Sequence, residues 1–155
     1  MVDDSNLIED HRELDVKLEK LRDIISKGEI DTVLFAQISK SLKRHIYIEE
    51  EEIFPSISER SNELRQRIAG LEMEHASIWM LLDRVEKEIS VRNVEKSPKY
   101  IEEISSILVS HNEQEEDKVY PIISQNEKIH KKKLLNMKFL RGGYATGSGG
   151  RISDV

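Results

Sequence analysis

The chain has 155 residues, of which 35% are charged and 37% hydrophobic, and its formal net charge is −6. This length favours one domain with a substantial core, and this composition excludes a disordered chain. The absence of cysteine excludes disulfides, thiolate metal sites and cysteine nucleophiles.

Charge and hydropathy narrow the range of partners. Residues 1–126 contain 28 acidic and 17 basic residues, whereas residues 127–155 contain 2 acidic and 7 basic residues. The acidic part would repel nucleic acid, so we expect no nucleic-acid partner. We expect no membrane span, because no apolar run approaches the length that a spanning helix needs. The first residues lack the basic flank and apolar stretch of a secretory signal, which predicts a cytoplasmic protein.

The first half of the sequence predicts two helices. Asp3, Asp4 or Ser5 caps the first, which ends at Lys27-Gly28. Its inner stripe is Leu7, His11, Leu14, Leu18, Leu21 and Ile25. The second helix begins at Asp31 or Thr32 and is predicted to end at Pro55. Its inner stripe is Ile38, Leu42, His45, Glu49 and Ile53.

Two further helices follow in the second half. The third runs from Ser61 to about Ile89, with the inner stripe Leu64, Ile68, Leu71, His75, Ile78, Leu82, Val85 and Ile89. The fourth begins at Ser97-Pro98, because proline is tolerated in the first helical turn. Its stripe is Ile101, Ile104, Leu108, His111, Glu115 and Val119.

Four long helices with short connections predict an all-α fold, an up-down-up-down antiparallel four-helix bundle over residues 1–126. The halves 1–62 and 63–126 have the character of an internal duplication of one helical hairpin. Residues 127–141 are predicted to form a short basic helix, and residues 142–155, which contain five glycines, a flexible tail. The basic segment is a candidate contact for a protein partner.

A repeated phrase carries the chemistry. His45 is followed by Glu49 and Glu50 and then by Phe54-Pro55, and the same offsets recur 66 residues later. That second copy comprises His111, Glu115, Glu116 and Tyr120-Pro121. A lone histidine precedes each phrase, and these two are His11 and His75. We assign Phe54-Pro55 and Tyr120-Pro121 a structural role, as matched helix ends that pack beneath the bundle.

Six of these residues form a candidate metal site. Residues four apart on a helix share a face, so each phrase can direct an imidazole and a carboxylate into one cavity. Burying these groups without compensation would be costly, and a metal offers the simplest compensation. We predict terminal ligation by His11, His45, His75 and His111, with Glu49 and Glu115 bridging two ions. Imidazole and carboxylate donors suit iron, manganese or zinc, and water or an oxygen-derived ligand would complete the coordination.

The chain resembles the hemerythrin-like proteins, often named for their His-His-Glu cation-binding motif. The resemblance covers about residues 7–122. The residues on which it rests are His11, Glu74-His75 and the two phrases beginning at His45 and His111. It implies a four-helix bundle holding a non-haem di-iron centre with a bridging oxo, hydroxo or water ligand. It also implies members that bind dioxygen or sense oxygen, redox state or iron.

Two departures from the oxygen carriers bear on function. Those proteins have a His-x3-His pair on the third helix, whereas Leu71 and Trp79 stand at the candidate positions here. One ion should therefore lose a nitrogen donor, and Glu72 is an alternative oxygen ligand. The carriers also place their last bridging carboxylate five residues after the histidine, which makes Glu116 the alternative to Glu115.

Several functions fit this pattern. The first is a di-iron protein that binds or senses dioxygen, nitric oxide, peroxide or redox state. The second is a di-iron enzyme that reduces peroxide or nitric oxide or oxidises ferrous iron. A third is a structural metal site in an interaction module. The pattern favours binding and sensing over catalysis.

Overall fold

A computed structural model describes residues 4–124 of the chain. The regular elements in this range are all helical: α1 (Asp4–Ser26), α2 (Thr32–Ile48), α3 (Phe54–Ile57), α4 (Asn62–Ser90), α5 (Ser97–Gln114) and α6 (Tyr120–Ser124). Two π-helical turns, Glu49–Ile53 and Glu115–Val119, join α2 to α3 and α5 to α6. A 3-10 turn, Ser58–Arg60, precedes α4. The predicted basic helix and glycine-rich tail lie outside the described residues.

The packing of these helices fits a helical bundle. The first helix, α1, packs against α2, α5 and α6, while α4 packs against α2 and α5. The all-helical architecture predicted from the apolar stripes is confirmed for residues 4–124, and its up-down-up-down order stays a prediction. None of the helices in this range is long and apolar enough to span a bilayer.

Side chains placed at the helix starts define where α2 and α4 begin. A side-chain oxygen of Asp31 accepts a hydrogen bond of 2.9 Å from the Leu34 N–H. The Ser61 hydroxyl accepts one of 3.0 Å from the Leu64 N–H. Each bond satisfies a donor that the first helical turn leaves unpaired.

The ends of α1 and α4 repeat one geometry. After α1, Gly28 has a φ of +87°, and the N–H of Glu29 reaches back to the carbonyl of Ile24. After α4, Arg92 has a φ of +58°, and the N–H of Asn93 reaches back to the carbonyl of Glu88 in the same way. Both are Schellman endings, but only the first has the glycine that this backbone conformation favours.

The prediction that Pro55 ends the second helix was wrong, because the helical path continues to Ile57. Proline lacks an N–H, and its ring clashes with the carbonyl four residues earlier in an α-helix. The π-turn relieves this conflict, since the Phe54 N–H bonds to the carbonyl of Glu49, five residues earlier. The turn before Pro121 repeats the bond, from the Tyr120 N–H to the carbonyl of Glu115. Single π-turns within α-helices are rare and often occur at functional sites.

Two apolar clusters stabilise the bundle and leave a polar layer between them. The larger cluster includes Leu14, Leu42, Ile78 and Leu108. The smaller includes Leu7, Ile48, Leu71 and Val119. Each histidine of the predicted site falls between a residue of one cluster and a residue of the other along its helix or the π-turn that continues it, so the polar layer has apolar packing on both sides.

Candidate metal centre

The six predicted ligands come together in the polar layer. The histidines His11, His75 and His111 are buried on α1, α4 and α5. The side chain of His45 on α2 retains 13% of its exposure. The carboxylates Glu49 and Glu115 are the first residues of the two π-turns and have no solvent exposure.

Each buried carboxylate spans two imidazoles. Oε1 of Glu49 lies 3.1 Å from Nε2 of His75, and Oε2 of Glu49 lies 3.2 Å from Nε2 of His45. Within Glu115, Oε1 lies 3.1 Å from Nε2 of His11, and Oε2 lies 3.1 Å from Nε2 of His111. The two oxygens of each carboxylate therefore face opposite sides of the layer.

This arrangement divides the donors into two groups that share both carboxylates. The first group is His11, His45, Glu49 and Glu115. The second is Glu49, His75, His111 and Glu115. In each group the donor atoms lie within 4.8 Å of one another, a spacing from which they could surround one ion. Imidazole nitrogen and carboxylate oxygen are donors that zinc, manganese and iron accept.

An outer ring of carboxylates contacts the far side of three imidazoles at hydrogen-bond distance. The Nδ1 of His11 lies 2.8 Å from Glu116 Oε2. The two remaining pairs of this kind are His75 with Glu50 at 2.9 Å and His111 with Glu74 at 2.8 Å. A carboxylate there accepts a hydrogen bond from the Nδ1 N–H, which fixes the orientation of the ring and leaves Nε2 directed at the shared carboxylates, where it could bind a cation.

The fourth histidine has a looser outer partner. The Nδ1 of His45 lies 3.9 Å from Oδ2 of Asp10, which is half exposed. Asp10 immediately precedes His11, as Glu74 immediately precedes His75. The duplication therefore extends from the inner donors to the acids behind them.

Some buried atoms of the second group have no hydrogen-bond partner. They are Glu49 Oε1, His75 Nε2 and Glu115 Oε2, and they face one another. Buried polar atoms left unpaired are costly, and each needs a physical explanation. A cation would satisfy all three at once, so these residues fit a bound metal ion.

The hydroxyl of Tyr120 lies beside the first group and hydrogen-bonds to it. It donates a hydrogen bond of 2.8 Å to Glu49 Oε2, and lies 3.1 Å from Glu115 Oε1 and 3.0 Å from Nε2 of His11. Burial and the two nearby carboxylates raise the pKa of this phenol well above its usual value, so it is a neutral donor. The predicted packing role of Tyr120 is confirmed by its burial in the smaller apolar cluster, but sequence reasoning missed its hydroxyl.

The duplication is asymmetric at this position. Phe54 stands where Tyr120 stands in the other half, and its ring stacks on His75 with centroids 5.8 Å apart. The first group therefore has a hydroxyl beside its carboxylates, and the second has an apolar wall. A sequence signal existed, because Phe54 and Tyr120 occupy the same offset of the repeated phrase.

The acids and imidazoles of the layer shift one another's pKa values. Burial of His45 opposes its protonation, but Glu49 and Asp10 outweigh burial and hold its pKa well above the usual value. The pKa of His75 is likewise raised to about 9 against burial, by Glu49 and Glu50. Burial would raise the pKa of Glu49, yet His45 and His75 hold it well below its usual value. The buried carboxylates thus favour positive charge beside them, and without a metal ion protonated His45 and His75 supply it.

Residues 2–123 match the family described as the hemerythrin HHE cation binding domain. The chain belongs to this family. No significant match to a curated protein or a solved structure accompanies it. Members of the hemerythrin HHE family are cation-binding domains, and the His/Glu cluster of this chain fits a metal site.

The alternatives left open by the sequence occupy different places in this hemerythrin-like layer. Glu115 faces the inner layer, whereas Glu116 faces Nδ1 of His11 from outside. Glu72 is exposed and is not among the grouped donors. Leu71 is buried in the smaller apolar cluster, and Trp79 packs against the larger one, so neither adds a donor.

Proposed function

We propose that the layer binds two iron ions. His11 and His45 would hold one ion, His75 and His111 the other, and Glu49 and Glu115 would bridge them. The observation that carries this proposal is the division of each carboxylate, whose two oxygens face different histidine pairs. A ligand set for a single ion would not require shared donors of this kind.

We further propose that the centre binds or senses a small ligand such as dioxygen, nitric oxide or peroxide, or reports redox state. Each ion would have two imidazoles and two shared carboxylate oxygens, which leaves coordination positions open. Iron supplies the redox chemistry when it is bound. The protein supplies the apolar layers on either side, which restrict water, and the outer acids Glu50, Glu74 and Glu116, which orient the imidazoles.

The absence of an extra histidine on α4 separates this chain from the pattern of the oxygen carriers. Leu71 and Trp79 both pack in apolar surroundings. The ion held by His75 and His111 would therefore have one nitrogen donor fewer than in those proteins. This difference makes sensing or reaction with a small ligand a better fit than reversible oxygen carriage.

A di-iron enzyme that reduces peroxide or nitric oxide, or oxidises ferrous iron, is the second candidate. The hydroxyl of Tyr120 favours it, because its oxygen lies within 3.1 Å of both shared carboxylates and can donate a hydrogen bond to a reacting group beside them. A fixed hydrogen-bond donor of this kind can stabilise negative charge that develops during a reaction.

Metal analysis and spectroscopy test the proposal. Protein produced with ample iron should contain two iron ions per chain, and its oxidised form should absorb in the near ultraviolet as oxo-bridged ferric pairs do. Zinc at the same stoichiometry would give no such absorption and would contradict the choice of iron. Mixing the reduced protein with excess peroxide or nitric oxide separates the two functions. One stable adduct per site indicates binding, and consumption of many equivalents indicates turnover.

A further inference from the structure

A pocket of about 160 Å³ leads from the surface between α1 and α2 toward the first donor group. We call it the α1–α2 pocket. Its lining includes Asp10, His11, Lys17, Ser41, Arg44 and His45. Sites for drug-sized ligands usually exceed about 300 Å³, so this one suits only molecules of a few atoms.

The internal duplication explains why the pocket exists on this side. Positions 64 residues apart correspond in α1 and α4, and positions 66 residues apart correspond in α2 and α5. Lys17 thus corresponds to Leu81, and Ser41 to Ile107. Leu81 is buried in the larger apolar cluster, and Ile107 packs against that cluster. In the second half, two aliphatic side chains therefore occupy the positions equivalent to those that line the α1–α2 pocket.

Exposure of the histidines follows the same asymmetry. The side chain of His45 is 13% exposed, whereas those of His75 and His111 are 2% and 3% exposed. Solvent reaches the layer more easily from the α1–α2 side than between α4 and α5.

The charges in the pocket indicate which molecules would pass. Lys17, Ser41 and Arg44 are half-buried in its wall, while Asp10 and Glu13 are exposed. Asp10 is also paired with the imidazole of His45. Water screens the two exposed acids more than the two half-buried cations, so the cations dominate the field inside the pocket and attract anions.

From this we propose that the α1–α2 pocket is the entrance to the metal centre, and that Lys17, Ser41 and Arg44 select small anions. This inference rests on the proposed function, because it requires metal in the layer. Ser41 supplies the space, since an aliphatic residue at the equivalent position fills it in the second half. The half-buried cations supply the preference for negative charge.

Stopped-flow binding of azide to the oxidised, iron-loaded protein tests the entrance. We expect Ser41→Ile, which places the residue of the second half in the pocket, to slow azide association by roughly tenfold or more, because a narrowed path raises the barrier. The matched control is Ser106→Ile, the same substitution at an exposed serine of α5. It should bind azide at the wild-type rate, and circular dichroism and iron content show whether either variant has lost the fold or the metal.

The charge preference has its own test. Lys17→Met should slow azide at low ionic strength, and the difference should shrink as salt rises from about 0.01 M to about 1 M, where the Debye length falls from about 30 Å to about 3 Å. Lys20→Met, an exposed lysine on the same helix, is the control. Binding of nitric oxide to the reduced protein should be slowed by Ser41→Ile and not by Lys17→Met, because nitric oxide carries no charge.

The outcomes separate the two proposals. Wild-type azide kinetics in a Ser41→Ile variant that retains its iron would overturn the entrance and leave the metal centre intact. An iron-loaded wild-type protein that binds no azide would overturn it as well. A wild-type protein that takes up no metal would contradict the proposed function, and the entrance would fall with it.

Discussion

Substitution of Glu115 by glutamine is the perturbation that best separates a bridging carboxylate from a neighbouring one. Its two oxygens lie 3.1 Å from imidazole nitrogens on opposite sides of the layer. Glutamine keeps the size but has one oxygen, and its NH₂ group cannot bind a cation. In the proposed centre, Glu115→Gln would therefore lose a contact to one ion and a negative charge shared by both.

The adjacent residue provides a matched control. Glu116 contacts Nδ1 of His11 from outside the layer, and its side chain is 32% exposed. Loss of an outer partner of this kind typically costs about 10–100-fold in metal affinity, or about 1.4–2.7 kcal/mol. We expect Glu116→Gln to fall within that range and Glu115→Gln to exceed about 100-fold, with both ions weakened together.

Chelator competition followed by elemental analysis measures these affinities. Circular dichroism of each metal-free variant shows that the fold is retained. Two tightly bound ions in Glu115→Gln, or a greater loss in Glu116→Gln than in Glu115→Gln, would refute the assignment of the inner and outer carboxylates.

Three further predictions concern the metal-free protein. Tyr120→Phe, which copies Phe54 of the other half, should lower the free energy of unfolding by about 1.5–3 kcal/mol, because it removes hydrogen bonds to buried charged groups. Arg92→Gly should raise it by about 0.5–1 kcal/mol, because the left-handed φ of this residue suits glycine, as at Gly28. Stability should fall as pH rises from about 6.5 to about 9, because the folded protein raises the pKa of His75 to about 9 and loses this contribution when the imidazole deprotonates.

Urea denaturation after chelator treatment measures all three. Unchanged stability in Tyr120→Phe would contradict the bonds of the hydroxyl, and destabilisation in Arg92→Gly would contradict the backbone geometry after α4. For the pH series, the metal-free protein is compared with the iron-loaded protein. Metal displaces protons from the imidazoles, so metal affinity should rise over the same interval in which metal-free stability falls. Metal-free stability that rises with pH would contradict the coupling between His75 and its acids.

Much of the fold followed from periodic apolar residues. The stripes through Leu14, Leu42, Ile78 and Leu108 placed the helices correctly, because burial of one face dominates helix packing. The path beyond Pro55 could not be read in the same way. A π-turn, in which an N–H bonds to the carbonyl five residues earlier, is rare, so proline was taken as the end of the helix.

The sequence predicted which histidines and glutamates meet in the layer, because their spacing repeats. Histidine and glutamate four residues apart, twice, at the centre of apolar stripes, require a common explanation for buried charge. The outer acids were harder to assign, since Glu50, Glu74 and Glu116 each serve a histidine of another helix. Such pairings depend on how helices are rotated against one another, which the sequence of one helix does not specify. The duplication was the sequence feature that indicated the outer acids, because they recur at matching offsets in the two halves.

Two consecutive glutamates at the start of the first π-turn contact the same histidine. Here Glu49 contacts Nε2 of His75, and Glu50 contacts Nδ1 of the same ring. The imidazole is thus contacted on its inner and outer edges by neighbouring residues of one turn.

Anomalous X-ray diffraction at the iron edge tests the central claim most directly. We expect two peaks about 3.5–4 Å apart, as in other two-metal sites, both between Glu49 and Glu115. One should lie beside Nε2 of His11 and His45, and the other beside Nε2 of His75 and His111. A single peak, or peaks remote from the two carboxylates in protein shown to contain iron, would contradict a pair of ions bridged across this layer.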